Sequence, residues 1–177
     1  MSLEVSSLRA LAHPIRLQIL SLLTGATLSA TEVAEELEIT QANASYHLRA
    51  LASVGYVVVD SEEQIRGGVA KRYRHPWDVE QPSKPSDDED YLLYVHTMAR
   101  EMVRRAAYRD AEVEERSNTD AELWVEPGVW AEVVDHVEKA SVLLHESALP
   151  PRSAGAVHVN MTANLFAMHE RPTAGDR

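Results

Sequence analysis

The chain has 177 residues, 45% of them hydrophobic and 25% charged, enough for one domain or two small ones with real cores. It contains no Cys, which excludes disulfides and thiolate metal sites, and no apolar run long enough to span a bilayer. Its net charge of −11 is unevenly spread: Met1 to His75 holds 7 basic and 8 acidic residues, and Pro76 to Arg177 holds 10 and 20.

No basic-then-apolar segment opens the chain, so no signal peptide is expected and a cytoplasmic location is. Between Thr40 and His75 the balance turns positive, with 5 basic and 3 acidic residues. Charge within about 10 Å of a phosphate counts most, so the acidic second half does not exclude a polyanionic partner.

Leu8 and Leu11 lead into His13-Pro14, and Pro14 suits the first turn of a helix. Ile15, Ile19, Leu20, Leu22 and Leu23 give that helix a broad apolar face, and Gly25 is expected to end it. His13 is expected to cap or pack. Ser29 and Glu32 have capping-box spacing, which starts a second helix near Ala30 with Val33, Ala34 and Leu37 inward. Glu38 and Ile39 form a tight turn, and Thr40 N-caps the next helix. Ala44, Leu48 and Leu51 then bury one side of a helix from Gln41 to Val54, and Gly55 stops it. His47 is expected to pack beneath this helix.

Tyr56 to Asp60 reads as a strand, Gly67-Gly68 as a turn and Ala70 to His75 as the returning strand. Pro76 to Asp90 is rich in Pro and acid and reads as a linker. Ser86 and Glu89 repeat the capping-box spacing, and a long helix is expected from about Asp87 to about Glu115. Leu92, Val95, Ala99, Met102, Val103 and Ala106 line one side of it, with Arg100, Arg104 and Arg105 opposite.

Leu123-Trp124-Val125 reads as a short strand. Pro127 opens a further helix with Trp130, Val133, Val134, Val137, Ala140 and Leu144 on one face. Val157, Val159 and Met161 alternate with His158, Asn160 and Thr162, the pattern of a strand with one buried face. The fold class is thus mainly α with a β-wing: a winged helix-turn-helix over residues 1–75, a linker over 76–90, and an α+β region over 91–177.

Two short helices, a tight turn and a β-wing are the layout that places one helix in the DNA major groove. The side of the third helix opposite its core presents Gln41, Ala42, Ser45, Tyr46 and Arg49. Gln can pair with adenine, Ser with several bases, and a small Ala can meet a thymine methyl. Thr40 and the free N–H groups at the helix start suit a phosphate. Arg66, Lys71, Arg72 and Arg74 would reach flanking phosphates or the minor groove. A single reading helix covers few bases, so a homodimer is expected. Its seam would be Leu92, Val95, Ala99, Met102, Val103 and Ala106, with help from the N-terminal helices. The alternative is a winged helix that docks on another protein and does not read DNA.

The run Leu8 to Leu20, LRALAHPIRLQIL, resembles the opening signature of ArsR-type regulators. Ala44 to Leu51, ASYHLRAL, followed by Gly55 and Val57, is similar to that family's recognition helix. The resemblance covers about the first 75 residues. It implies a homodimeric bacterial transcription regulator, a repressor in most members. It also implies reading residues at Gln41, Ala42, Ser45 and Tyr46 and wing contacts within Arg66 to Arg74. The chain departs from the members that sense metal through cysteines, since the matching stretch Glu32 to Glu38 holds none. Asp135-His136 and His145-Glu146 are similar to another ligand pattern of the family. However, nine residues at roughly 100° each put the two His on opposite helix faces.

No metal or cofactor site is expected. His136, His145, His158 and His169 lack i, i+3 or i, i+4 spacing and read as solvated or core-edge residues. Trp124, Trp130 and Phe166 are expected to fill a core, the alternative being a pocket for an apolar effector. Arg104, Arg105 and Arg109 read as a solvated face paired with Glu101, Asp110 and Glu112. No nucleophile motif, phosphate-binding glycine loop or HExxH motif is present, so an enzyme is not expected.

Overall fold

The computed structural model describes residues 7–65, 68–79 and 87–169. Arg66, Gly67, Ser86 and the middle of the expected linker lie outside them. Among the described residues six helices and three strands run in the order α1 (Ser7–Leu11), α2 (Pro14–Gly25), β1 (Leu28–Ser29), α3 (Ala30–Glu36), α4 (Gln41–Ala52), β2 (Val58–Ile65), β3 (Gly68–Arg74), α5 (Asp88–Ala106) and α6 (Pro127–Glu146). The strands form one antiparallel sheet in the order β1-β3-β2, with a bulge between Val59 and Ser61. Among the described residues no helix is long and apolar enough to cross a membrane.

Local chemistry sets the first four helices. His13 is the N-cap of α2, its Nδ1 accepting from the Ile15 N–H at 3.2 Å, and Pro14 follows in the first turn. Gly25 is the last residue of α2 and not a residue beyond it; Ala26 caps the helix in extended backbone. The expected capping box forms: the Glu32 N–H donates to the Ser29 hydroxyl at 3.3 Å, and the Ser29 N–H donates to the Glu32 carboxylate at 2.7 Å.

α3 and α4 end in the same hydrogen-bond pattern. The Glu38 N–H donates to Glu35 O and the Ile39 N–H to Ala34 O. After α4 the Gly55 N–H donates to Ala52 O and the Tyr56 N–H to Leu51 O. This Schellman arrangement needs a left-handed residue at its centre. Gly55 supplies it at φ 84° without strain, whereas Glu38 supplies it at φ 54° against the steric preference of a side chain. The turn between α3 and α4 is tight for that reason.

The core lies where α1–α4 meet the base of the sheet. Ile19, Leu23, Val33, Leu48, Leu51 and Val57 are its largest fully buried side chains. Leu20, Leu37, Tyr73 and Tyr94 close its edge.

α5 packs against α1 and α2, joining the N-terminal unit. It does so through its polar side. The buried Asp90 carboxylate receives Arg9 at 3.0 Å, and the buried Glu101 carboxylate accepts from Gln18 Nε2 and Arg104 Nε, both at 2.9 Å. The helix ends at Ala106 and not near Glu115. Glu112, Glu114 and Glu115 would sit at the negative end of the helix dipole, and few apolar residues there could anchor another turn.

The second half differs most from expectation. Leu123–Val125 and Val157–Met161 run as irregular chain and not as strands. Alternation sets which side chains share a face, but a strand also needs a neighbour for its backbone, and none lies beside either stretch among the described residues. α6 forms where Pro127 predicted, yet none of its residues is buried. Trp130, Val134, Val137, Ser141 and His145 make a half-covered stripe, while Val133, Leu143 and Leu144 are exposed. Trp124 is 87% exposed and Phe166 also faces solvent, so these aromatics do not fill a core within the chain.

Candidate nucleic-acid interface

α4 is held by its own core side. Ala44, His47, Leu48 and Leu51 are buried, which turns Gln41, Ala42, Tyr46 and Arg49 outward. Tyr46 is 62% exposed and Ser45 half-buried beside it. Thr40 is the N-cap, its hydroxyl accepting from the Asn43 N–H at 3.2 Å. Arg49 rests its Nε on Ser45 O at 3.2 Å, which lays the guanidinium along the helix surface. The six sequence-predicted residues of this helix and its cap therefore share one side, and Thr40, Gln41, Ala42, Tyr46 and Arg49 are open to solvent.

The wing is less simply cationic than its sequence. The β2–β3 register places Glu62 opposite Lys71 and brings Asp60 and Glu63 within reach of Arg74 and Arg72. Lys71 lies 3.7 Å from Glu62, both exposed. Arg74 lies 3.3 Å from Asp60 and 3.6 Å from Asp78. Arg72 donates to Thr27 O at 2.7 Å, reaches Glu32 at 3.1 Å and lies 3.7 Å from Glu63. Its guanidinium thus ties the sheet to the start of α3. The strand faces Ser61–Gln64 and Gly68–Val69 remain exposed.

Behind α4 sits a group that the sequence pattern did not single out. The His13 and His47 rings pack with centroids 4.5 Å apart, and Tyr46 meets His47 edge-on at 5.1 Å. His47 is 4% exposed. Burial first, then the proximity of His13 and Arg16, pushes its pKa down to about 4. Burial and Arg16 likewise lower His13. Both rings are thus biased toward the neutral form, leaving Arg16 as the main charge of the group. Only the i, i+3 step from His13 to Arg16 could have hinted at this from sequence.

The expected dimer residues fall on the outer side of α5. Leu92, Ala99, Met102, Val103 and Ala106 are exposed and Val95 half-buried. A shallow groove of about 450 Å³ runs along His96, Ala99, Arg100, Val103 and Arg104.

Residues 11–59 match the family described as a helix-turn-helix domain. No curated protein matches the chain. Two solved structures from Mycobacterium bovis are similar to it. One, a possible transcriptional regulatory protein (fragment 1–100), is 25% identical, with 57% of this chain and 86% of that one covered at a TM-score of 0.33. The other is the homodimeric winged helix-turn-helix DNA-binding domain (fragment 1–100) Mb0332, a possible ArsR-family transcriptional regulator. It is 24% identical, covering 62% of this chain and 82% of that one at a TM-score of 0.34. Neither likeness is close enough to carry properties over to this chain. The matched stretch runs from the end of α1 into β2, with the Schellman turn at Glu38 in its middle and the β2–β3 hairpin directly after it. The N-terminal part of this chain is a winged helix-turn-helix, with signatures that resemble the ArsR type.

Proposed function

We propose that the chain is a sequence-specific DNA-binding transcriptional regulator, acting as a repressor on a pseudo-palindromic operator as a homodimer in the cytoplasm. The observation that supports this most is the outward side of α4: Gln41, Ala42, Tyr46 and Arg49 are exposed on a helix whose other side is locked into the core. Side chains of these types near a helix start can read base edges, and Thr40 with the free N–H groups can hold a phosphate. Lys71, on an exposed and loosely paired wing strand, reaches the backbone more readily than Arg72 or Arg74. Arg66 belongs to the same proposed set. Residues 1–75 form the reading unit, and residues 91–177 serve dimerisation or effector binding.

A homodimer supplies two-fold symmetry. Two reading helices then meet half-sites about 34 Å apart. The exposed apolar stripe of α5, from Leu92 to Ala106, is the seam that suits it. The ion-paired wing is the one observation favouring a protein-docking module instead, because paired cations release fewer counterions on DNA.

Selection of bound duplexes from a random library, followed by titration on the selected and a scrambled duplex, tests the reading. A recovered two-fold motif with at least about a hundredfold preference over scrambled DNA supports it. No enrichment at 50–100 mM salt overturns it in favour of the docking module.

A further inference from the structure

Two arginines of the N-terminal unit, Arg16 and Arg49, have no carboxylate within ion-pair distance among the described residues, and of the two only Arg16 is half-buried, Arg49 being exposed with its Nε on Ser45 O. Arg9, Lys71, Arg72 and Arg74 each have a carboxylate within ion-pair distance. Among the described residues Arg16 has none, in a chain of net charge −11. It lies in the first turn of α2, its side chain is half-buried, and its Nε is shielded from water with no hydrogen-bond partner. Burying part of a guanidinium without an acid is costly, so a site of this kind is poised to gain an anion.

The surroundings say which anion. Arg16 lies close to Tyr46, which is on the exposed side of α4, and to His13 and His47. The His13 and His47 rings pack on each other and Tyr46 meets His47 edge-on, so this group joins the start of α2 to the exposed side of α4. An anion reaching Arg16 therefore lies beside Tyr46, at the margin of the surface assigned above to base reading. Margins of a reading helix are where the sugar-phosphate backbone passes.

We infer that Arg16 is a phosphate-binding residue: it grips one backbone phosphate of the DNA on which α4 rests, and fixes the depth and angle of that helix through Tyr46. The inference rests on the proposed DNA reading. It adds a contact from α2, outside both the reading helix and the wing. A guanidinium suits the task because its fork can give two parallel N–H donors to one phosphate. A backbone contact carries no base information, so its loss weakens all duplexes alike.

The test uses the full chain and the duplex selected as above, with a scrambled duplex beside it. We expect Arg16→Gln to lower affinity about tenfold on both. It should also reduce the salt slope of log K by about 0.9 for each protomer bound. Arg16→Lys should keep most of the slope. An Arg16→Gln protein that melts like wild type and keeps the wild-type slope overturns the assignment, as does a loss confined to the selected duplex. A second measurement needs no variant: phenylglyoxal labelling of Arg16, read by mass spectrometry with and without saturating duplex. Protection by DNA is expected, and equal labelling in the bound state overturns the assignment. Wild type that binds neither duplex overturns the DNA reading itself, and is distinguished by its own titration.

Discussion

Glu32 and Arg72 join two parts of the fold through one carboxylate. Glu32 accepts from the Ser29 N–H at 2.7 Å to close the capping box of α3, and the same side chain holds Arg72 of β3 at 3.1 Å. Burial pushes the Glu32 carboxyl up, but hydrogen bonds from the backbone and side chain of Ser29, with the Arg72 guanidinium, outweigh it and hold it below its ordinary range. Glu32→Gln should keep part of the cap and lose the charge pairing, costing about 1 kcal/mol. Glu32→Ala should cost more. The lowered pKa also sets a sign: this stability is present above the ordinary carboxylate pKa and is lost as pH falls through the folded one. A double-mutant cycle of Glu32→Gln with Arg72→Gln in urea checks the coupling.

His47 should make the reading unit sensitive to mild acid. Its folded pKa of about 4 lies below the ordinary 6.5, so the unfolded chain takes up a proton first. Stability is therefore complete above pH 6.5 and declines as pH falls toward about 4, by up to about 3 kcal/mol. His47→Leu should flatten the dependence across that window. Urea melts at half-unit pH steps measure it, and an unchanged slope in the variant would exclude His47 as its source.

The turn at Glu38 should respond to backbone chemistry more than to charge. Its φ of 54° suits glycine and strains a β-branched residue. Glu38→Val should cost about 1–2 kcal/mol, while Glu38→Gly should be neutral or stabilise by up to about 1 kcal/mol. Thermal melts of the two variants, compared with Glu38→Ala between them, give the ordering.

Gly25 marks where the C-terminal segment meets the N-terminal unit. A Cβ there would lie 2.8 Å from Leu149 O, a backbone atom that cannot swing aside. Nearby, Arg152 pairs with Glu36 at 2.6 Å and Trp77 stacks on His145 at 5.3 Å. Gly25→Ala should lift the 147–153 segment without unfolding the helix-turn-helix, despite the better helix propensity of Ala. Faster proteolytic cleavage within that segment, with the denaturant midpoint of the core unchanged, is the expected result.

The α5 stripe gives the dimer proposal its direct check. Val103→Glu and Met102→Glu place charge at positions exposed in the single chain, so neither should disturb the core. Both should yield monomers by sedimentation at micromolar concentration. Wild-type sedimentation in the variants would exclude this seam.

The N-terminal half was legible because its signals are local. Ser29 with Glu32, Thr40, and the Ala44–Leu48–Leu51 spacing each specify a feature within one or two turns. The wing's charge state was not local: whether Arg72 faces phosphate or Glu32 depends on the pairing of β3 with β1 and β2, which no short window contains. Arg16 escaped for the same reason, since its meaning lies in His47 and Tyr46 some thirty residues away. Farther on, the alternation at Val157–Met161 gave a face but no neighbour, and Trp124 and Phe166 gave apolar area but no surface to cover.

α6 spans Pro127–Glu146 and sinks no side chain into its own chain. A lone helix of twenty residues is only marginally stable in water. Its winding then depends on its covered side, where Trp130, Val134 and Val137 are half-buried and His145 stacks on Trp77 at 5.3 Å. Denaturant turns this into a gauge: ellipticity should shed about one helix's worth well before the compact N-terminal unit gives way.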